Sequence, residues 1–213
     1  RASLGRKFYD QGTSIHLAAR NIEKLEAFAG EVNAGLYQCD ASKIDDVANL
    51  FSDLDSNIGT PDLVIYNPSS RLSGGIADLD PHATLESLKV TCFGAFLIAQ
   101  QAASRMQKRG SGSIFFTGAS AGVKAFPNSS VFAMGKFGLR ALAQSLAREL
   151  HPQNIHIGHF VIDGGITSNS TANKSVDRTL DPDAIAQTYL DFFKQHRSAW
   201  AWEIELRPWV ETF

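Results

Sequence analysis

Residues 132–166 read FAMGKFGLRALAQSLARELHPQNIHIGHFVIDGGI. The stretch opens inside a long helix running from about Asn128 to Leu150, and continues into a strand, Ile155–Ile162, that ends at Asp163 and two glycines. Phe132 and Lys136 stand four apart on the helix and so share a face. Helix followed by strand is the unit that repeats outward in both directions.

Towards the N-terminus the next strand is Gly112–Thr117. Before it a long helix opens at Asp80-Pro81, cap and then N1 proline, and reaches about Lys108. Leu63–Tyr66 is a continuous apolar run, as expected of a strand buried on both faces. Ser42 is the expected cap of a helix whose apolar face is Ile44, Val47, Leu50, Phe51 and Leu54. Gly35–Cys39 reads as a strand ending in Asp40, and Asn21 as the cap of a helix bearing Ile22, Leu25 and Phe28. Ser14–Ala19 is a short β run, preceded by a helix from Arg1 to Gln11 with Gly12 closing it. Towards the C-terminus, Asp181-Pro182 opens a helix to about Gln195, and Glu203–Leu206 is the last strand. Alternation of this kind builds right-handed βαβ units: a parallel sheet with helices on both faces, a three-layer α/β/α sandwich.

A chain of 213 residues suits one domain with a full core. With 44 % hydrophobic and 20 % charged residues it is neither disordered nor collagen-like. A net charge of −2 offers no basic field for nucleic acid or an anionic membrane. No apolar run approaches the roughly 18 residues of a membrane span. Cys39 and Cys92 are too few for a disulfide scaffold or a cysteine zinc cage, so a reduced, cytoplasmic setting is expected. None of the six histidines has a metal-binding spacing; His156 and His159, three apart in a strand, face opposite sides. Residues 167–180, polar through TSNSTANKSVDR, follow a strand and precede a helix, where α/β folds place substrate loops. Composition alone leaves an ordinary exposed loop equally open.

In order and spacing these pieces resemble the short-chain dehydrogenase/reductase family, along essentially the whole chain. The matching motifs are Phe132-Ala-Met-Gly-Lys136 where the family has Tyr-x-x-x-Lys, VIDGGI after a strand, Cys39-Asp40 after a strand, Asn67 in YNPS where the family has N-A-G, and Gly94 in VTCFGAF. RASLGRKFYDQG resembles the helix that follows the family's Gly-rich turn. The resemblance implies one Rossmann-like, doubly wound dinucleotide-binding domain over residues 1–213. It also implies an upstream strand and turn, at the centre of the sheet, that this sequence lacks.

Carried over by position, the cofactor residues are Ala19, Arg20, Asp40, Ala41, Asn67, Lys136, Gly164 and Ile166. Ala19 stands where an acidic residue would bind a ribose 2′-hydroxyl, and Arg20 suits a 2′-phosphate, so NADP is expected over NAD. Asp40 would accept from the adenine amino group, or serve as a helix-entry residue. Asp163 replaces a proline, either as a buried acid or, the more common case, as a turn residue.

The catalytic residues mostly do not match. The family's tyrosine becomes Phe132, its serine Ala119 and its asparagine Thr91; Lys136 alone is kept. Phenylalanine cannot give or take a proton, and Lys136 is expected to remain a strongly basic ammonium. Ser120, Ser129, Ser130 and Tyr66 are weaker candidates to replace the phenol. Phe in place of Tyr resembles a divergent subgroup of the family. The expected function is an NADP-dependent oxidoreductase with a degenerate site; the alternative is a catalytically silent NADP(H) sensor or partner subunit. The resemblance further implies a homodimer or homotetramer built on the two long helices.

Overall fold

The computed structural model describes residues 2–167 and 178–210. In chain order the elements are α1 (Ala2–Tyr9), β1 (His16–Ala19), α2 (Glu26–Glu31), β2 (Gly35–Gln38), α3 (Ile44–Asn57), β3 (Leu63–Tyr66), α4 (Pro81–Leu88), α5 (Gly94–Arg109), β4 (Gly112–Thr117), α6 (Ser130–Leu150), β5 (Ile155–Ile162), β6 (Gly165–Ile166), β7 (Thr179–Leu180), α7 (Pro182–Phe193) and β8 (Glu203–Leu206). Every ladder is parallel. β3, β4, β5 and β8 lie side by side in one sheet, β1 and β2 form a separate pair, and β6 and β7 a short ribbon.

The period of two along β4 and β5 sorts the layers. Ile114, Phe116, Ile155 and Ile157 face a core shared with Val47, Leu50, Phe51 and Leu54 of α3, Ala102 and Met106 of α5, and Leu139 and Ala143 of α6. Phe115, Phe160 and Ile162 face Phe8 of α1 and Ile185, Tyr189, Leu190 and Phe192 of α7. Full burial of one such side chain contributes roughly 1.5–3 kcal/mol, so these two clusters hold the three-layer α/β/α sandwich together. The helix entries at Asp80 and Asp181 are as expected: Asp80 accepts from the Ala83 amide at 2.7 Å and Asp181 from the Asp183 amide at 2.7 Å.

Several local expectations are corrected. Ser42 does not cap α3; its amide and hydroxyl are both spent on Asp40 Oδ1, and α3 begins behind Lys43 with no side-chain cap. Asn21 is no cap either, because a 3-10 turn at Glu23–Leu25 precedes a short α2. α6 starts at Ser130 because Asn128 adopts φ 58°. The long Asp80–Lys108 helix is interrupted by a π-helical turn at Lys89–Phe93. There a Cβ on Gly94 would sit 2.5 Å from the Ala41 carbonyl and 2.6 Å from the Tyr66 hydroxyl, so the helix passes closer than any other residue permits. Tyr66 donates its hydroxyl hydrogen to the Val90 carbonyl inside that turn. β3, expected to be buried on both faces, is only half-buried at Leu63, Val64 and Ile65, as is Leu17 of β1.

Candidate functional site

In a parallel sheet the C-terminal ends of the strands lie along one edge, and α/β ligands bind there. Arg20 follows β1, Asp40 and Ala41 follow β2, Asn67 follows β3, Ala119 lies just beyond β4, and Asp163 and Gly164 follow β5. The residues picked for a cofactor therefore share one rim. Ala19 ends β1 half-buried and Arg20 is exposed, its carbonyl accepting from Gln38 Nε2 at 3.4 Å. Asp40 is the helix-entry residue: Oδ1 accepts from the Ser42 amide at 3.1 Å and hydroxyl at 2.7 Å. Burial works to raise its pKa, but the Ser42 bonds and the nearby charges of Arg20 and Lys43 outweigh it and keep the carboxylate ionised below its usual range.

The centre of the rim is Lys136, only 2 % exposed. Its Nζ donates to the Thr117 carbonyl at 2.8 Å. Burial, with the charge of Arg71 adding to it, lowers its pKa to about 8. The expectation of a strongly basic ammonium is thus corrected: a buried cation with one neutral acceptor loses much of its hydration. Phe132 is buried on the same face of α6, its ring centroid 5.9 Å from the Lys136 ammonium. Over that ring, at 4.5 Å, lies the guanidinium of Arg71, a residue the sequence did not single out. Thr91, buried in the π turn, holds the segment that carries Arg71: its hydroxyl accepts from the Ser70 amide at 3.0 Å and donates to the Ser70 carbonyl at 3.3 Å. Ser87 donates to the same carbonyl at 3.3 Å. Tyr66 is committed to Val90, and burial raises its pKa, so it is no substitute acid.

Asp163 is a buried acid rather than a plain turn residue. It pairs with Lys124 at 3.1 Å and Arg207 at 3.1 Å, the compensation a buried carboxylate requires. Gly164 beside it is tight against Pro208, whose Cδ lies 2.8 Å from where a Cβ would be. Ile166 is exposed in β6, whose pairing with β7 joins Gly165 to Thr179 and Ile166 to Leu180. The segment read as a substrate loop, 167–180, thus begins and ends at this ribbon; residues 168–177 lie outside the described residues.

A second network was also unforeseen. His159 is fully buried, and its Nδ1 meets Glu203 Oε2 at 2.9 Å; Arg140 grips the same carboxylate at 2.6 and 2.7 Å. Burial lowers the imidazole pKa, so the ring is neutral and Nδ1 carries the donated hydrogen. A Cβ at Gly118 would lie 2.4 Å from His159 Nε2. His156 points the other way, stacked between Phe192 and Trp200. Among the described residues no group of three or more His, Cys, Asp or Glu side chains is placed to hold a metal, and no helix is long and apolar enough to cross a membrane.

Comparison with known proteins agrees with this geometry. The family described as short chain dehydrogenase matches residues 2–179. The 3-oxoacyl-[acyl-carrier-protein] reductase of Bos taurus is 26 % identical over 171 residues, covering 79 % of this chain and 72 % of that protein. The structure of a short-chain dehydrogenase from Rhodopseudomonas palustris superposes with a TM-score of 0.85 at 30 % identity, covering 98 % of this chain and 92 % of that one. An alcohol dehydrogenase from the archaeon Thermococcus sibiricus, complexed with 5-hydroxy-NADP, has the same fold, with a TM-score of 0.87 at 20 % identity over 99 % and 92 % of the chains. A match across most of the sequence, on a parallel sheet flanked by helices, makes this chain a member of the short chain dehydrogenase family.

Proposed function

We propose that the protein is an NADP(H)-dependent oxidoreductase in which Lys136, rather than residue 132, handles the substrate's proton. The observation that carries this is the buried Lys136 ammonium, bonded to Thr117 and poised near neutrality beside Phe132. A group with a pKa near the working pH is the effective general acid. Lys136 spends one hydrogen on the Thr117 carbonyl and keeps two for a substrate oxygen or carbon.

The residues along the rim suit NADP. Arg20, exposed and in no ion pair among the described residues, answers a 2′-phosphate; Asp40, whose carboxylate feels its charge, and Ala41 lie beside it, Asn67 at the next strand end, and Lys136, Gly164 and Ile166 at the far end. When bound, the cofactor supplies the hydride. The named ligand of the Thermococcus sibiricus relative supports the same choice. The half-buried apolar side chains of β1 and β3 support one Rossmann-like domain over 1–213 whose sheet is completed by a further strand between them. Exposed Phe93, Phe96, Met134 and Phe137 on the α5–α6 side support the homodimer or homotetramer. Free Cys39 and Cys92 suit the cytoplasm.

The test is NADPH oxidation over a panel of ketones, aldehydes and enals by the parent and by Lys136→Met. Turnover by the parent that Lys136→Met abolishes even at saturating NADPH is the expected result. NADPH binding with no turnover on any member favours the silent sensor, which rests on the missing hydroxyls at Phe132 and Ala119.

A further inference from the structure

Arg71 has no counterpart among the residues that the resemblance supplied, and its placement is unusual. Its guanidinium is exposed, lies 4.5 Å over the Phe132 ring, and has neither a carboxylate nor a hydrogen-bond acceptor among the described residues. A surface arginine normally floats; this one is rooted. Ser70, the residue before it, is held by Thr91 on both its amide and its carbonyl, and by Ser87 on the carbonyl. Both anchors are buried, Thr91 at 1 % and Ser87 at 4 % exposure. Two buried side chains are thus committed to fixing the main chain next to one exposed cation. The cation acts on the site, since its charge helps to lower the Lys136 pKa.

Ring stacking leaves the edge of a guanidinium open, and that edge is a fork of N–H donors matched to a carboxylate. We propose that Arg71 is a substrate-binding residue that receives a carboxylate, so that the substrate is a carbonyl compound or conjugated alkene bearing a carboxylic acid. The Phe132 ring is then the platform that holds the guanidinium flat, a task a phenylalanine does as well as a tyrosine. The inference rests on the proposed reading of this rim as a reductase site.

The test is calorimetric titration of the full chain with 2-oxobutanoate and with its methyl ester, with and without NADP+, so that no turnover intervenes. The acid is expected to bind about tenfold or more tightly than the ester, the effect of one charged hydrogen-bonded pair. Arg71→Gln should erase that difference, and Arg71→Lys, which keeps the charge but not the fork, should restore only part of it. Thr91→Val, which frees Ser70, should reduce it with Arg71 intact. Inorganic phosphate should compete weakly. Equal affinity for acid and ester, a preference that survives Arg71→Gln, binding of neither probe, or phosphate binding as tightly as the acid would each overturn the proposal. An acid preference that depends on Arg71 in a protein that fails to bind NADP+ would keep the carboxylate site and remove the reductase reading.

Discussion

Thr117 joins Lys136 to Tyr189: its carbonyl accepts from the lysine at 2.8 Å while its hydroxyl meets the tyrosine hydroxyl at 2.8 Å. One residue at the end of β4 therefore connects the α6 layer to the α7 layer and holds the lysine from behind.

The lowered Lys136 pKa predicts a pH dependence of stability. Folded, the group titrates at about 8; unfolded, near the ordinary 10.5. Between those values the unfolded chain holds more protons, so stability rises with pH across the window. Below about pH 8 both states are charged and the burial cost, on the order of 3 kcal/mol, is felt in full. Urea unfolding of the parent and of Lys136→Met should show the difference moving by about that amount in the parent's favour from pH 7 to 10.5. A difference that does not change with pH would place the lysine in a wetter setting. Reductase activity should be flat below pH 8 and fall above it, as Nζ loses its proton.

Restoring a phenol should raise ketone reduction. Phe132 has the Lys136 ammonium and the Arg71 guanidinium close to its ring, and two cations favour a phenolate. Phe132→Tyr with Ala119→Ser should accelerate NADPH oxidation with simple ketones by about 10²–10⁴. No gain in steady-state rate would show that ring and substrate do not meet.

NADPH should bind more tightly than NADH, and Arg20→Ala should narrow the gap by about tenfold, the effect of one charged hydrogen bond. Fluorescence titration of both cofactors with both proteins decides it. Equal affinities in the parent would refute the assignment of Arg20.

Phe93 and Phe96 stack with centroids 6.1 Å apart while both remain exposed. Phe96→Asp should convert an oligomer into a monomer in sedimentation velocity, since a buried unpaired charge at an interface costs several kcal/mol. A parent that sediments as a monomer at micromolar concentration would rule the interface out.

The order of strands and helices was legible because its signals are local. The short apolar-rich runs at Gly112–Thr117 and Ile155–Ile162 and the Asp-Pro pairs at 80 and 181 need no knowledge of the rest of the chain. Signals that depend on distant partners were not legible. Ser42 looked like a cap until Asp40 claimed its donors. The π turn ends at Gly94, which packs against Ala41, a residue far away in sequence. Arg71 is one cation in a polar connection, and its anchors lie 17 and 21 residues away from Ser70. The Lys136 pKa likewise depends on burial, which no spacing reveals.

The break between β1–β2 and the four-stranded sheet has a dynamic consequence. In this 213-residue chain, without the further strand proposed above, no ladder bond ties the pair to β3, and its backbone protection comes from one two-strand register and the short α2. Such a unit opens at a lower free energy than strands buried on both faces, such as β5. Hydrogen exchange should therefore be fastest, among the strands of the two larger sheets, at Leu17–Ala19 and Leu36–Gln38. That unit also carries Arg20 and Asp40. In that same chain a dinucleotide reaching from Arg20 to Lys136 would act as the cross-link that the further strand would otherwise supply, slowing exchange in β1 and β2 far more than in β4 and β5.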